Sequence, residues 1–187
     1  AGVSVDAPVI SVFSTPLMNA SAFGHLEAMQ LLLAEGANVH AKNKEGQDVL
    51  EVAISYAETV SESAVALLIE HGAILKATTL HYYVSKGDSN SIKSCLAAGV
   101  DVDARVAGIF STPLMRASAF GHLKVMKLLL DEGANVHAQN EQGKDVLEVA
   151  TFCSAVELSV KLSDPVALLL IKHGATLKAT MLHYYVA

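Results

Sequence analysis

The chain has 187 residues, of which 52% are hydrophobic but only 5% aromatic, and it carries a formal net charge of −6. This acidic balance, without a basic patch, argues against a nucleic-acid partner. Its longest apolar runs, of about six residues, are too short to cross a bilayer, which takes roughly 20. Two cysteines, Cys95 and Cys153, are too few for a disulfide framework. We therefore expect an intracellular, cytoplasmic protein without membrane insertion, in which Cys95 is a buried hydrophobic residue.

Internal repetition dominates the sequence. Residues 13–53 recur at 110–150, an offset of 97 residues, and 32 of the 41 aligned positions are identical. A shorter repeat divides each long unit. Along the chain a leucine recurs at steps of 33, 30, 34, 33 and 35 residues, at Leu17, Leu50, Leu80, Leu114, Leu147 and Leu182. A period near 33 residues predicts an array of stacked supersecondary units rather than one irregular core.

The first strong unit shows how each repeat should fold. Thr15 can cap a helix that starts at Pro16, since proline is tolerated in the first turn. Gly24 ends that helix, and apolar residues at helical spacing predict a second one from about residue 25. Gly36 suits a left-handed C-terminal cap, and residues 43–46 form a polar turn with a glycine. Each repeat is thus two antiparallel helices and a hairpin-like finger.

Two departures from this pattern recur in both copies. The segment 54–63 is longer than usual between helices, and its counterpart 151–165 is longer by five residues. Each is either a surface loop that tolerates insertion or an exposed binding loop. Conversely, Gly72 and Gly174 each precede the next motif leucine by only eight residues, which leaves no room for a finger.

The motifs resemble those of the ankyrin-repeat family. STPLM at 14–18 and 111–115 is similar to the family's TPLH element, with methionine in place of histidine, whereas LHYYVSKGD at 80–88 keeps the histidine. Residues 24–41 and 121–138 resemble its GH…LLL…GADVNA run, and DVLEVA at 48–53 and 145–150 is a weaker TPLHLA variant. The resemblance implies an all-α solenoid of stacked helix-turn-helix units with hairpin-like fingers.

We expect one array over 1–187. Its repeats would occupy 14–46, 47–78, 79–110, 111–143 and 144–180, with partial repeats at 1–13 and 181–187. Since neither end has the polar face typical of a terminal repeat, we also expect the array to belong to a longer one. Of the adjacent rings Tyr82 and Tyr83, we expect one to be packed inward and one to be exposed, and we expect the same of Tyr184 and Tyr185.

The resemblance places the binding surface on the finger tips and on the exposed side of the first helix of each repeat. The candidate partner-binding residues are Asn19, Phe23, Lys42, Lys44, Glu45, Gln47, Tyr56, Lys86, Arg105, Arg116, Phe120, Gln139, Glu141, Gln142 and Lys144. Phe23 and Phe120 have two interpretations, either as aromatic anchors for a partner or as rings packed against the next repeat.

Catalytic chemistry is not indicated. The eight histidines are explained by their places in the repeat, and none has zinc-ligand spacing with cysteine or another histidine. Asp48 and Asp145 precede helices and are expected to act as caps. Nucleotide-binding, hydrolase and metalloprotease motifs are lacking. We therefore expect no catalytic residues, no metal and no cofactor.

The predicted function is non-catalytic recognition of, or scaffolding for, another protein of unknown identity. One alternative is a structural spacer or assembly subunit whose groove stays empty. Another is a regulatory ankyrin domain attached to an enzyme or channel. The sequence does not distinguish among these, because a shared fold hosts many functions.

Overall fold

The computed structural model describes residues 4–8, 13–56, 62–154 and 165–178. Over these ranges it contains ten short α-helices and, apart from two isolated bridges, no β structure. The helices are α1 (Pro16–Ala22), α2 (Leu26–Ala34), α3 (Val49–Tyr56), α4 (Glu62–Glu70), α5 (Ala77–Lys86), α6 (Ser89–Ala97), α7 (Pro113–Ala119), α8 (Leu123–Asp131), α9 (Val146–Ser154) and α10 (Pro165–Lys172). The predicted all-α repeat fold is confirmed.

The chain divides into two compact units, Ala1–Thr79 and Leu80–Ala187, here called unit 1 and unit 2. In unit 1, α1 packs against α2 and α3, while α4 packs against α2 and α3. In unit 2, α7 packs against α8 and α9, and α8 also contacts α6 and α10. First helices therefore contact first helices and second helices contact second helices, as in a stacked array.

The helix ends form as their sequences predict. In each strong repeat the threonine of the TPL motif accepts a hydrogen bond from a backbone N–H three residues on, from Met18 to Thr15 Oγ1 and from Met115 to Thr112 Oγ1, both at 3.2 Å. Proline follows in the first turn. Gly36, with φ of +81°, takes the left-handed conformation expected after α2.

Each unit buries a layer of aliphatic and methionine side chains between its helices. In unit 1 the completely or almost completely buried residues include Leu17, Met18, Met29, Leu50 and Leu68. In unit 2 they include Leu114, Met115, Met126, Leu129 and Leu147. Met18 and Met115, which stand where the family usually has histidine, are therefore core residues. A histidine there would need hydrogen-bond partners.

One polar contact links successive repeats in the same way in both units. The carboxylate of Asp6 accepts hydrogen bonds from the Asn38 backbone N–H at 3.1 and 3.2 Å. Asp103 does the same with Asn135 at 3.1 Å through both oxygens. The turn of one repeat is thus tied to the equivalent turn of the next within each unit.

The rings of Tyr82 and Tyr83 are both buried, which differs from the prediction that one of them is exposed. Tyr82 and Tyr83 are only 9% and 8% exposed, so the expectation that one ring lies in solvent is wrong. Their rings meet edge to face with centroids 5.2 Å apart. Burial raises the pKa of Tyr83 to about 12. Tyr184 and Tyr185 lie outside the described residues, as do residues 57–61 and 155–164 of the long segments predicted at 54–63 and 151–165.

Candidate functional site

The finger of unit 1 is organised by a buried asparagine. Asn43 Oδ1 accepts hydrogen bonds from the backbone N–H groups of Glu45 at 3.0 Å and of Gln47 at 2.9 Å, and its Nδ2 donates to Gln47 Oε1 at 2.9 Å. The side chain of Gln47 is therefore used to close the finger. Lys42, Lys44 and Glu45 are exposed on its outside.

The finger of unit 2 has the same construction around Asn140. Its Oδ1 accepts from the N–H groups of Gln142 at 3.0 Å and Lys144 at 2.9 Å, while its Nδ2 donates to the Ile109 carbonyl at 3.0 Å. Gln139, Glu141 and Gln142 are exposed, and Lys144 is half-buried. The exposed Arg105 donates from Nη1 to the Gln139 carbonyl at 2.9 Å, which joins the preceding turn to this finger.

An aromatic cluster lies beside the finger of unit 1. The Phe13 ring meets Phe23 and Tyr56 edge to face, with centroids 5.8 and 5.0 Å away. Phe23 is 65% exposed and Tyr56 40% exposed. Tyr56 also donates from its hydroxyl to Glu45 Oε2 at 3.4 Å, and the Glu45 carboxylate raises the pKa of Tyr56. First-helix and finger residues therefore share one surface in unit 1.

Unit 2 carries a related cluster, in which Arg116 adds a cation and Cys153 occupies the sequence position of Tyr56. Phe110 and Phe120 have centroids 6.2 Å apart, and Phe120, which is 52% exposed, stacks on His122 at 6.0 Å. The guanidinium carbon of Arg116 lies 6.0 Å from the centroid of Phe110. Phe23 and Phe120 thus each contact one phenylalanine of the preceding repeat, Phe13 or Phe110, and this contact covers only part of each ring.

Arg116 belongs to a polar network that reaches α5. Its Nε donates to His81 Nδ1 at 3.1 Å and its Nη1 donates to Ser85 Oγ at 3.2 Å. His81 Nε2 in turn donates to the Ala104 carbonyl at 2.8 Å. With one ring nitrogen accepting and the other donating, His81 is in its neutral form. Burial, together with the positive charge of Arg116, lowers the pKa of His81 to about 4. Burial also lowers the pKa of Arg116.

The remaining two candidate residues are Asn19 and Lys86. Asn19 occupies in unit 1 the repeat position that Arg116 holds in unit 2, and it is half-exposed. Lys86 is exposed at the end of α5, with its Nζ 5.7 Å from the centroid of the Tyr82 ring.

Two lysine clamps were missed by sequence reasoning. Lys76 Nζ binds the carboxylates of Asp48 and Glu51, the latter at 3.0 Å, and Lys178 repeats this with Asp145 at 2.9 Å and Glu148 at 2.6 Å. Each aspartate caps its helix as expected. Asp48 Oδ1 accepts a hydrogen bond from the Glu51 N–H, and the Glu51 carboxylate accepts one from the Asp48 N–H. Asp145 and Glu148 form the same pair of bonds. Burial lowers the pKa of Lys76, but its hydrogen bonds to the two carboxylates outweigh this, so its pKa is raised.

These clamps explain how a repeat without a finger is held. Lys76 and Lys178 lie in the short links where the eight-residue spacing leaves no room for a finger, and each link is tied to the first helix of its own repeat. The sequence signal was available, because the Leu-Lys-Ala-Thr run recurs in both copies as ILKATT and TLKATM. Phe13 and Phe110 could likewise have been found from the FSTPLM match.

The described part of the chain shows no group of three or more His, Cys, Asp or Glu residues arranged to hold a metal ion. Within the same ranges no helix is long and apolar enough to cross a membrane. What the described surface does offer is exposed aromatic rings and finger side chains, which are groups suited to contact with another macromolecule.

The comparisons with known proteins agree with this picture. A family model of ankyrin repeats in three copies matches residues 5–79 and 80–181. The chain is 29% identical over 160 residues to the transient receptor potential cation channel subfamily V member 6 of Rattus norvegicus, covering 74% of this chain and 21% of that protein. It is 28% identical over 151 residues to ankyrin repeat and SOCS box protein 11 of Homo sapiens, covering 81% and 37%.

A third relative is palmitoyltransferase AKR1 of Debaryomyces hansenii, 36% identical over 84 residues, which covers 45% of this chain and 10% of that protein. The chain thus spans 10% to 37% of the length of these three relatives. The two family-model matches meet between residues 79 and 80, where the structure also divides. Together with the repeated caps, fingers and helix pairs, the match over most of its length shows that this chain belongs to the ankyrin-repeat family.

Proposed function

We propose that this chain is a non-catalytic module that binds another protein through its finger tips and the exposed side of its first helices. The observation that carries the proposal is the exposed aromatic cluster beside the finger in each unit. Phe23 at 65% and Phe120 at 52% exposure remain largely in contact with solvent. Large exposed aromatic side chains are costly to leave in water and are enriched in interfaces.

The surroundings of the rings support the same role. The rings lie next to hydrogen-bonded polar groups, since Tyr56 donates to Glu45 in unit 1 and Arg116 donates to His81 in unit 2. A rigid apolar centre with polar groups around it is the usual composition of an interface hot spot. The buried asparagines hold the finger backbones in place, so that little conformational entropy would be lost on binding.

The test is an affinity capture from the organism that makes the protein, with this chain as bait and with matched variants. Phe23→Ala and Phe120→Ala together remove both exposed rings. Leu31→Ala is the control, because Leu31 is also 65% exposed but lies on the second helix α2. We expect a specific protein to be captured by the parent chain and by the control, and lost with the double variant.

Other outcomes would point elsewhere. Captured proteins that are indifferent to the double variant, or that are lost with Leu31→Ala, would contradict the proposed surface. No capture at all would favour the spacer or assembly-subunit alternative. The other alternative, a regulatory domain attached to an enzyme or channel, has one observation in its favour. The relatives whose names denote a transferase and a cation channel are far longer than this chain.

The setting and extent of the domain remain part of the proposal. We place the module inside the cell, in the cytoplasm, where the buried thiol of Cys95 would stay reduced. The repeat bounds 14–46, 47–78, 79–110, 111–143 and 144–180, within one array, are proposed on the motif spacing.

A further inference from the structure

Arg116 is a half-buried cation whose observed partners carry no negative charge. Its guanidinium donates to His81 Nδ1 and Ser85 Oγ and lies over the ring of Phe110. All of these partners are neutral. In the part of the chain that the structure describes, the ion pairs involve Lys76 and Lys178, and no carboxylate lies within ion-pair distance of Arg116.

A partly desolvated cation is normally paired with an anion, because burial costs hydration energy that neutral partners return only in part. The arginine fork has five N–H donors, and the contacts to His81 and Ser85 use only its Nε and Nη1 sides. These contacts hold the guanidinium plane in one orientation. A fixed planar fork with free donors is suited to bind a carboxylate through two parallel hydrogen bonds.

The rings next to Arg116 define what would accompany that carboxylate. Phe110 lies under the guanidinium, and Phe120 extends the apolar surface outward, stacked on His122. His122 is itself held in place by a hydrogen bond between its Nε2 and the Ser85 carbonyl at 3.0 Å. An apolar side chain adjacent to an acidic one could cover these rings while the carboxylate meets the fork.

The charge around this point is consistent with an acidic ligand. A second guanidinium, that of Arg105, is held on the finger of the same unit. Arg105 follows Ala104, whose carbonyl accepts the hydrogen bond from His81. The chain as a whole has a net charge of −6, so any attraction for an acidic segment is local to this surface. A polyanion such as a nucleic acid would be repelled by the rest of the chain.

We infer that Arg116 together with Phe110 and Phe120 binds an aspartate or glutamate side chain, flanked by an apolar residue, from an exposed segment of the partner protein. This inference rests on the proposed protein-binding function and adds the chemistry that the partner must supply. The assembled group, here called the acidic-residue site, consists of Arg116, Phe110 and Phe120 with His81 and Ser85 as positioning residues.

The internal repeat provides a matched comparison. Unit 1 keeps Phe13 and Phe23 at the positions of Phe110 and Phe120 but has Asn19 in place of Arg116. The two ring clusters therefore differ in this cation and in Tyr56, whose position in unit 2 is occupied by Cys153. Arg116→Asn removes the cation and gives unit 2 the residue of unit 1, while Asn19→Arg adds a cation beside the rings of unit 1.

The experiment is a selection of short random peptides displayed on phage against the full chain and against three variants, R116N, R116K and N19R. Selected peptides are sequenced and resynthesised, and their affinity is measured by fluorescence polarisation, together with versions in which glutamate is replaced by glutamine. Circular dichroism on each variant checks that it is folded.

We expect the parent chain to enrich peptides with an acidic residue next to an apolar one, and the glutamine versions to bind about tenfold more weakly. R116N should bind the acidic and amide versions alike, and R116K should retain part of the preference, since it keeps the charge without the fork. N19R should increase affinity for the acidic peptides by less than R116N reduces it, because the described part of unit 1 offers no counterparts of His81 and Ser85 to hold the new guanidinium. The increase itself does not depend on R116N folding correctly.

Three results would overturn the inference. The first is selected peptides without acidic enrichment, and the second is an enrichment that R116N leaves unchanged. Either of these would leave the proposed protein-binding function standing, since peptides would still have been bound. The third is a selection that enriches no peptide. It would remove the acidic-residue site, while the capture experiment with the phenylalanine variants would still decide the broader function.

Discussion

The neutral His81 should make the stability of unit 2 depend on pH. In the folded chain its pKa is about 4, against 6.5 for an unperturbed histidine. Protonation would put a second N–H and a second positive charge against the Arg116 guanidinium, at the point where His81 Nδ1 now accepts a hydrogen bond. The unfolded chain binds the proton freely, so acid favours unfolding.

The sign and size of the pH effect on stability follow from the difference between the pKa of His81 in the folded chain and in the unfolded chain. Because the folded pKa is depressed, the stabilisation is complete above about pH 6.5 and is lost as the pH falls towards 4. Each pKa unit corresponds to 1.36 kcal/mol. The free energy of unfolding should therefore fall by about 2 kcal/mol between pH 7 and pH 5, and by at most about 3 kcal/mol at lower pH.

The assay is urea unfolding followed by circular dichroism at several pH values, for the parent chain and for His81→Met. Methionine is the residue that both strong repeats carry at the equivalent position, as Met18 and Met115. The variant should be less stable at pH 7, by about 1–3 kcal/mol, because the Ala104 carbonyl loses its donor. Its stability should, however, decline less between pH 7 and pH 5. Parallel pH profiles for the two proteins would refute the reasoning.

Three further predictions follow from burial and charge. Phe120→Ala should lower stability by less than ~1 kcal/mol because its ring is 52% exposed, whereas Leu114→Ala, fully buried, should cost about 2–5 kcal/mol in the same thermal melts. Equal losses would contradict the exposed-anchor interpretation. Lys76→Met should destabilise by ~1 kcal/mol or less at low salt, and the difference should shrink in concentrated salt, since its side chain is 34% exposed. In a Cys153→Ser background, Cys95 should resist alkylation by iodoacetamide until urea unfolds the chain, because burial raises the pKa of its thiol to about 11. Rapid labelling of the folded protein would show that Cys95 is accessible.

Local structure could be predicted because its causes lie close together in the sequence. The threonine caps reach a backbone N–H only three residues away, and Gly36 needs nothing beyond its own freedom to adopt positive φ. The lysine clamps were missed because Lys76 meets Asp48 and Glu51 across 28 and 25 residues. No rule based on local pattern identifies which of several carboxylates a lysine will reach.

The tyrosine pair shows where a periodicity argument fails. Adjacent residues on a helix point about 100° apart, and this spacing predicts one inward and one outward ring for Tyr82 and Tyr83. In unit 2 both rings are buried and contact one another edge to face. The exposure of a helical residue depends on how many elements surround the helix, and this is decided by tertiary packing.

The sequence by itself determined the repeat, its helix ends, its fingers and the fact that some repeats lack a finger, because these depend on spacing and on residues a few positions apart. Only the tertiary structure decided which candidates form a site. It brought Arg116 to His81 across 35 residues, left Phe23 and Phe120 exposed, and used Gln47 within its own finger. Stacking places residues of different repeats side by side, and the charge and burial of each then depend on neighbours that are distant in the chain.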